Sequence, residues 1–272
     1  MLVARGAKCF SDGFQAVRDV EQPTNPSFPL TLAEARRALK RMRAGPRALE
    51  RPLLLLSGYL ELGFSQALLK RRFHRLTGDM RIVGVSFSLC RTFDECRGKA
   101  IAAVERAFPG PDPLRTTEVD VVGVSMGGLV ARYAALPPKK ADARRLCVAR
   151  LFTISSPHLG ADRARLPAVN QLQRDMRAES AFLRRLNRPE NAPAFPVFPY
   201  VRLGDHVVGA VNAAPIGMAP WWVPDVPLQP PHSGAVVDAR IIADIARRLR
   251  GEEPFAAVPP APVPTGPGRN RR

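Results

Sequence analysis

Short apolar runs without polar alternation recur along the chain, and they constrain its fold more than any other sequence feature. Segments with helical spacing of apolar residues separate them, as in residues 94–108, where Ala100, Ile101 and Val104 share one face. Strands of this kind are buried on both faces, which requires a parallel sheet covered by helices. The predicted strands are residues 52–57, 81–87, 118–124, 147–155 and 196–203. The predicted helices are residues 65–76, 94–108, 127–136 and 238–250. We therefore predict an α/β fold with a mostly parallel central sheet and helices on both faces.

Local composition divides the chain into three regions. Residues 1–45 are predicted to form a partly irregular N-terminal extension, in which a capping-box pattern at Thr31 predicts the start of a basic helix. Residues 46–253 form the α/β domain, in which residues 161–195 carry helical patterning between two strands. That insertion is either a helical lid or an ordinary crossover of two helices. Residues 254–272 are rich in proline and end in a basic cluster, and we predict a disordered tail there.

A lone serine lies between glycines where the third predicted strand becomes a helix. Gly123, Ser125 and Gly127 match the pattern G-x-S-x-G, which is specific only in this strand-to-helix context. The turn is tight enough that a Cβ at either glycine would collide with neighbouring backbone. The helix that follows directs free N–H groups and its positive end toward the serine. We predict that Ser125 is a nucleophile, the alternative being a glycine-rich turn with an incidental serine.

A serine hydroxyl needs a base to become nucleophilic, and the base needs a carboxylate to orient it. The histidines are His74, His158, His206 and His232. Chain order in this arrangement runs serine, acid, histidine, which selects His232, with His158 as the second choice. Asp205 directly follows a predicted strand and is the first choice of acid. Asp225 is the second choice, because no predicted strand ends next to it.

The net charge of +17 is the unusual feature of the composition. Arginine is scattered along the whole chain, and no basic stripe carries interleaved aromatic residues, which argues against nucleic-acid binding. An anionic membrane surface remains a candidate for transient association. The cysteines lack metal-binding spacing, and neither a secretory h-region nor an apolar span is found, so we expect a cytoplasmic protein. The oligomeric state stays open.

Taken together, these motifs resemble the α/β-hydrolase superfamily, specifically its bacterial lipase and esterase branch, over residues 50–250. The segment "VDVVGVSMGGLVARY" resembles the nucleophile elbow, and "LFTISSPHLGA" resembles the strand and loop that usually contain T-P-H-x-G. The segments "LGDHVV", "PHSGAVVDARIIADIARRL" and "PLLLLSGYLE" resemble the acid loop, the histidine loop with its closing helix, and the oxyanion strand. The chain departs from the family pattern at Ser57 and Val124, where the family usually has histidine.

The resemblance implies a carboxylic ester hydrolase for apolar acyl groups that needs no cofactor or metal. It assigns catalysis to Ser125, Asp205 and His232, and the oxyanion hole to the backbone N–H groups of Tyr59 and Met126. The expected substrate is a small-molecule or lipid ester. Two alternatives stay open: an acyltransferase that uses the same three residues, and a non-catalytic binding protein that keeps the fold.

Overall fold

The computed structural model of the protein describes residues 23–59, 61–138, 143–161 and 170–264, and it contains the predicted sheet. The strands are β1 (Leu53–Leu56), β2 (Ile82–Val85), β3 (Val119–Val124), β4 (Val148–Ile154), β5 (Val197–Arg202) and β6 (Trp221–Val223). They form one sheet in the order β2-β1-β3-β4-β5-β6, and every adjacent pair is parallel. The predicted α/β architecture with a parallel central sheet is therefore confirmed.

Helices cover both faces of this sheet. They are α1 (Leu32–Ala44), α2 (Phe64–Thr77), α3 (Phe93–Ala107), α4 (Met126–Ala135), α5 (Gln171–Asp175), α6 (Ala181–Leu186), α7 (Pro231–Ala235) and α8 (Ala239–Leu249). Strand β1 is apolar throughout because helices cover both of its faces. Leu53 and Leu55 pack against α1, α2 and α8, while Leu54 and Leu56 pack against α3 and α4. All four leucines are fully buried. Within the described ranges, each helix is too short or insufficiently apolar to cross a lipid bilayer.

The basic helix of the N-terminal extension packs onto the domain. Thr31 and Glu34 form the predicted capping box at the start of α1, and Ala35, Leu39 and Met42 are buried in the core that α8 shares. Residues 1–22 lie outside the described residues, as does the predicted irregular structure there.

The first part of the proline-rich tail also contacts the domain, which differs from the disorder expected from its composition. The backbone N–H groups of Phe255 and Ala256 donate to the buried carboxylate of Asp244 at 2.6 and 2.8 Å. The indole N–H of Trp221 donates to the carbonyl of Ala257 at 2.8 Å, and Ala256 is almost fully buried. These partners offset the entropy of ordering the segment. Residues 265–272 lie outside the described residues.

The insertion at 161–195 contributes two short helices to the face covered by α3 and α4. Leu172, Met176 and Leu183 are buried there, and the Phe182 ring stacks on Phe93 with centroids 3.9 Å apart. Residues 162–169 lie outside the described residues, so the choice between a lid and a crossover stays a prediction.

Candidate active site

Ser125 lies in a strained turn between β3 and α4. Its backbone has φ 49° and ψ −119°, a conformation that a residue with a side chain rarely adopts. The Ser125 N–H donates to the Ile154 carbonyl at 2.8 Å, which continues the hydrogen bonding of β3 with β4, and the Ser125 carbonyl accepts from Gly128 N–H at 3.2 Å. Both contacts hold the turn, so the hydroxyl projects at the carboxyl edge of the sheet.

The flanking glycines are needed because backbone approaches them closely. A Cβ at Gly123 would lie 2.6 Å from the Gly128 nitrogen, and a Cβ at Gly127 would lie 2.5 Å from the Leu56 carbonyl oxygen. Each of these contacts is with backbone that cannot rotate away, so neither position accepts a side chain without moving β1 or α4.

Asp205 and His232 come from different parts of the chain and meet at the same edge. Asp205 follows the end of β5, and His232 lies in α7, with His232 Nδ1 2.8 Å from Asp205 Oδ2. The other carboxylate oxygen, Oδ1, accepts the N–H groups of Val207 and Val208 at 3.0 and 3.1 Å. An ionised carboxylate only accepts hydrogen bonds, so Nδ1 of His232 is the donor and Nε2 is left free to accept a proton.

The surroundings of Asp205 favour its ionised form. Burial raises the pKa of Asp205, but the hydrogen bond and charge of His232 and the N–H of Val208 lower it by more, so the pKa lies below its ordinary 3.8. The hydroxyl of Ser155, which approaches the carboxylate outside standard hydrogen-bonding geometry, acts in the same direction. Asp205 is therefore a carboxylate at neutral pH.

Ser125 and His232 line one cavity of about 570 Å³. Most of its wall is apolar and comes from Phe64, Leu68, Pro157, Ala161, Met176, Val207, Val208, Val236 and Val237. No hydrogen bond joins the Ser125 hydroxyl to His232 within the described part of the chain. In free enzymes such bonds are often long and tighten only when substrate is bound. The cavity thus has a volume typical of small-molecule sites and a wall suited to an apolar ligand.

The loop after β1 lies beside Ser125. A Cβ at Gly58 would be 3.4 Å from the Ser125 Cβ, and the next residue, Tyr59, lines the cavity. Ser57, which stands where the family usually has histidine, is buried; its hydroxyl accepts the N–H of Phe87 at 3.2 Å and so joins the ends of β1 and β2.

Glu61 belongs to this loop and was not identified from the sequence. Its carboxylate accepts the N–H of Gly58 at 2.9 Å and that of Ser65 at 2.8 Å, and it lines the cavity. It therefore joins the loop after β1 to the first turn of α2. An acidic residue just before a helix is the available sequence signal, since free N–H groups attract a carboxylate there.

His158, the second choice of base, is buried away from the cavity. Its Nδ1 accepts from Arg132 Nη1 at 3.3 Å, so Nε2 carries the proton and donates to Thr153 Oγ1 at 3.2 Å. Burial lowers the pKa of His158 well below 6.5, and the charge of Arg132 adds to this shift. Burial also lowers the pKa of Arg132 to about 10. His158 is therefore neutral and has both ring nitrogens engaged.

The remaining candidates, His74, His206 and Asp225, take no part in the hydrogen bond between Asp205 and His232. His74 and His206 are exposed, and His74 Nδ1 lies 3.1 Å from the Asp79 carbonyl. Asp225 accepts the Gly204 N–H at 3.2 Å and so supports the loop that leads to Asp205. Asp225 was ranked second because no predicted strand ended next to it, and that reason was wrong, since β6 ends two residues earlier. The preference for Asp205 agrees with the structure all the same, because His232 contacts Asp205.

Among the described residues, no group of three or more His, Cys, Asp and Glu side chains is placed to hold a metal ion.

A family model described as the PGAP1-like alpha/beta domain matches residues 97–191 of the chain. That region is about a third of the chain; it includes Ser125 but ends before Asp205 and His232. A search of curated protein sequences finds no match.

Among the solved structures similar to this one are a bacterial lipase and a second bacterial protein. The lipase BlEst2 of Bacillus licheniformis, in its mature form, has a TM-score of 0.54 and 13% identity, with 75% of this chain and 94% of that chain covered. A protein of Agrobacterium vitis named as a candidate hydrolase has a TM-score of 0.42 and 16% identity, with 75% and 90% covered. At these identities, the likeness to the Bacillus protein shows a shared fold alone.

Proposed function

We propose that this chain, which has the fold of the α/β-hydrolase superfamily, is a serine hydrolase that cleaves carboxylic esters of apolar acyl groups through an acyl-enzyme. The observation that carries the proposal is the hydrogen-bonded Asp205–His232 pair, whose imidazole lines the same apolar cavity as Ser125. The fold shared with a Bacillus lipase supports it. Residues 97–191, which match the PGAP1-like family model, contain the proposed nucleophile Ser125, but this match does not identify a substrate.

Each of the three side chains has a role that follows from its surroundings. Ser125 attacks the acyl carbonyl, and His232 accepts the hydroxyl proton at Nε2 and later gives it to the leaving alcohol. Asp205 keeps the proton on Nδ1 and stabilises the imidazolium that forms. A water molecule, deprotonated by the same imidazole, then attacks the acyl-enzyme and releases the carboxylic acid, and Ser125 regains its proton from His232.

Two backbone N–H groups are proposed to stabilise the oxyanion. Met126 is the first residue of α4, so its N–H is free of helical hydrogen bonding and points with the positive end of the helix. The second N–H is that of Tyr59, in the loop that Glu61 holds against Ser125. One such donor typically contributes about 3 kcal/mol to the transition state.

A panel of p-nitrophenyl esters of graded acyl length tests the proposal. Because each methylene buried in an apolar wall contributes about 0.8 kcal/mol, kcat/KM should rise by up to about fourfold per added methylene until the cavity is filled. A fluorophosphonate probe should label the protein. New esters formed when an alcohol is added would indicate acyl transfer instead, and inertness to every ester and to the probe would favour a non-catalytic binding protein.

We propose in addition that the cavity mouth contacts an anionic lipid surface. Leu62 and Phe64 are both 76% exposed, and Phe64 lies at the start of α2 on the cavity rim. Helical spacing puts Leu68, Arg71 and Arg75 on the same face of α2 as Phe64. An apolar rim followed by basic side chains suits a surface of anionic headgroups over acyl chains.

Replacement of Phe64 by serine should weaken binding to vesicles of phosphatidylglycerol and phosphatidylcholine about tenfold or more, since a phenyl ring contributes about 1.5–3 kcal/mol when buried. The matched control is Met80→Ser: Met80 is also 76% exposed, but it lies before β2, at the opposite edge of the sheet. Co-sedimentation at increasing salt separates the electrostatic from the apolar contribution to vesicle binding, because screening by salt weakens only the electrostatic contribution. Equal losses in the two variants, or no binding at low salt, would contradict a surface located at the cavity mouth.

A further inference from the structure

A fully buried arginine lies between the strand that leads to Asp205 and the segment that carries His232. Arg202 is the last residue of β5, and its side chain is 1% exposed. Burial of a guanidinium costs free energy unless the protein supplies its hydrogen-bond partners. The partners that this chain supplies are therefore informative.

The guanidinium of Arg202 contacts both ends of the segment 229–238. Nη2 donates to Gln229 Oε1 at 2.9 Å, and Nε donates to Asp238 Oδ2 at 2.9 Å. Gln229 comes just before α7, and Asp238 is the N-cap of α8. The two contacts bracket the short helix that carries His232.

The middle of the bracketed segment packs on the same guanidinium. A Cβ at Gly234 would collide with Arg202 Nη1 and lie 3.1 Å from its Cζ. Nη1 has no hydrogen-bond partner among the described residues, and it lies against Gly234 of α7. Glycine at 234 allows this approach, so α7 contacts Arg202 at Gly234 between the two hydrogen-bonded ends of the segment.

A second buried arginine provides a comparison. Arg240 also pairs with Asp238, through Nε to Oδ1 at 3.0 Å and Nη2 to Oδ2 at 2.8 Å, and it is 5% exposed. Its other contact is the Pro224 carbonyl at 2.6 Å, not Gln229. Arg240 is thus buried and paired with Asp238, as Arg202 is, but it does not contact Gln229, which comes just before α7.

We infer that Arg202 is a positioning residue for His232: it fixes both ends of the segment 229–238 to β5, so that the imidazole meets Asp205 and faces the cavity. Its effect on turnover rests on the function proposed above. The geometry that it maintains, the Nδ1 to Oδ2 contact, exists independently of any substrate.

The test compares Arg202→Lys with Arg240→Lys. A lysine at 202 keeps the charge beside Asp238, but its single ammonium cannot reach Asp238 and Gln229 together. On a p-nitrophenyl ester we expect kcat to fall about 10- to 100-fold in Arg202→Lys while KM changes less than about threefold, because a small misplacement of a catalytic group slows chemistry rather than binding. Both constants of Arg240→Lys should stay within about threefold of the wild type.

Proton NMR gives a readout that does not need activity. The Nδ1 proton of His232, hydrogen-bonded to Asp205, should give a far-downfield resonance that is absent in His232→Ala. We expect that resonance to broaden or vanish in Arg202→Lys and to persist in Arg240→Lys. If Arg202→Lys does not fold, Gln229→Ala is the alternative: it changes an exposed residue, leaves the buried Arg202–Asp238 pair intact, and should show a smaller loss of the same kind.

The outcomes separate the two proposals. A wild type that cleaves no ester but loses its downfield resonance in Arg202→Lys supports the positioning role and contradicts the proposed function. An active wild type whose Arg202→Lys variant, or Gln229→Ala where that is the folded one, keeps both kcat and the resonance overturns the positioning role. Equal losses in Arg240→Lys also overturn it, because they would assign the effect to the buried ion pairs in general.

Discussion

Replacement of Ser125 by alanine should abolish labelling by a fluorophosphonate and reduce ester turnover by about 10⁶-fold or to the detection limit. The reason is that the Ser125 hydroxyl is the proposed nucleophile, and removal of a nucleophile typically costs an effect of this size. The change should leave the fold intact, since the Ser125 hydroxyl makes no hydrogen bond among the described residues and the strained turn is held by backbone contacts. Intact-mass analysis after labelling and kcat/KM on the most active ester measure the two effects.

Ser156→Ala is the matched control for this variant. Ser156 is fully buried after β4, near the same helix α4, and its hydroxyl likewise has no hydrogen-bond partner among the described residues. It contacts the position of Gly128 rather than the cavity. We expect wild-type labelling in Ser156→Ala. Labelling that persists in Ser125→Ala would remove the nucleophile assignment and direct peptide mapping to the labelled residue.

The strands and helices that the sequence predicts well are those buried on both faces or on one continuous face. Predicted strands such as 118–124 and 147–155 agree with β3 and β4 to within one residue at each end, because double-sided burial leaves an unbroken apolar run. Strand β6 was missed: three residues flanked by proline-rich sequence carry no periodicity. Helix α7 was missed for a similar reason, since five residues that begin with proline are too few to show a pattern.

The candidate site divides in the same way. Chain order and strand ends identify Ser125, Asp205 and His232 as residues that reach one edge of the sheet, although their catalytic roles stay predictions. The sequence could not identify Arg202, because the positioning role inferred for it depends on its burial. No sequence pattern distinguishes it from the other members of a set of 41 lysines and arginines. Arg132 and Arg250 are buried as well, so part of the basic composition lies inside the protein and not on its surface.

Asp205→Asn should reduce kcat by about 10⁴-fold through the tautomer of His232, while substrate binding changes little. The loop determines how the new amide lies: Oδ1 accepts the N–H groups of Val207 and Val208, so the amide oxygen must take that position. The amide NH₂ then faces His232 Nδ1 and donates to it. The proton of the imidazole moves to Nε2, which can no longer accept the proton of Ser125. Steady-state kinetics on the p-nitrophenyl esters would show the loss in kcat.

The acid titration of the two proteins provides a second measurement. Because the pKa of Asp205 lies below 3.8 in the fold, its carboxylate adds stability that is fully present above about pH 3.8 and is lost as the pH falls through the lowered pKa. The amide of the variant cannot titrate, so the difference in unfolding free energy between the wild type and the variant should shrink as the pH falls through that window. Urea unfolding at a series of pH values measures this difference.

Asp225→Asn discriminates between the two acids that the chain offers. Its carboxylate accepts the N–H of Gly204, and an amide oxygen can accept that bond equally well, so turnover should stay within a few fold of the wild type. A wild-type rate in Asp205→Asn together with a large loss in Asp225→Asn would transfer the role of the acid to Asp225. That transfer would require His232 to leave the carboxylate it contacts at 2.8 Å and reach across the loop that Asp225 supports. The pair of variants therefore tests whether the contact seen in the free protein is the one used in turnover.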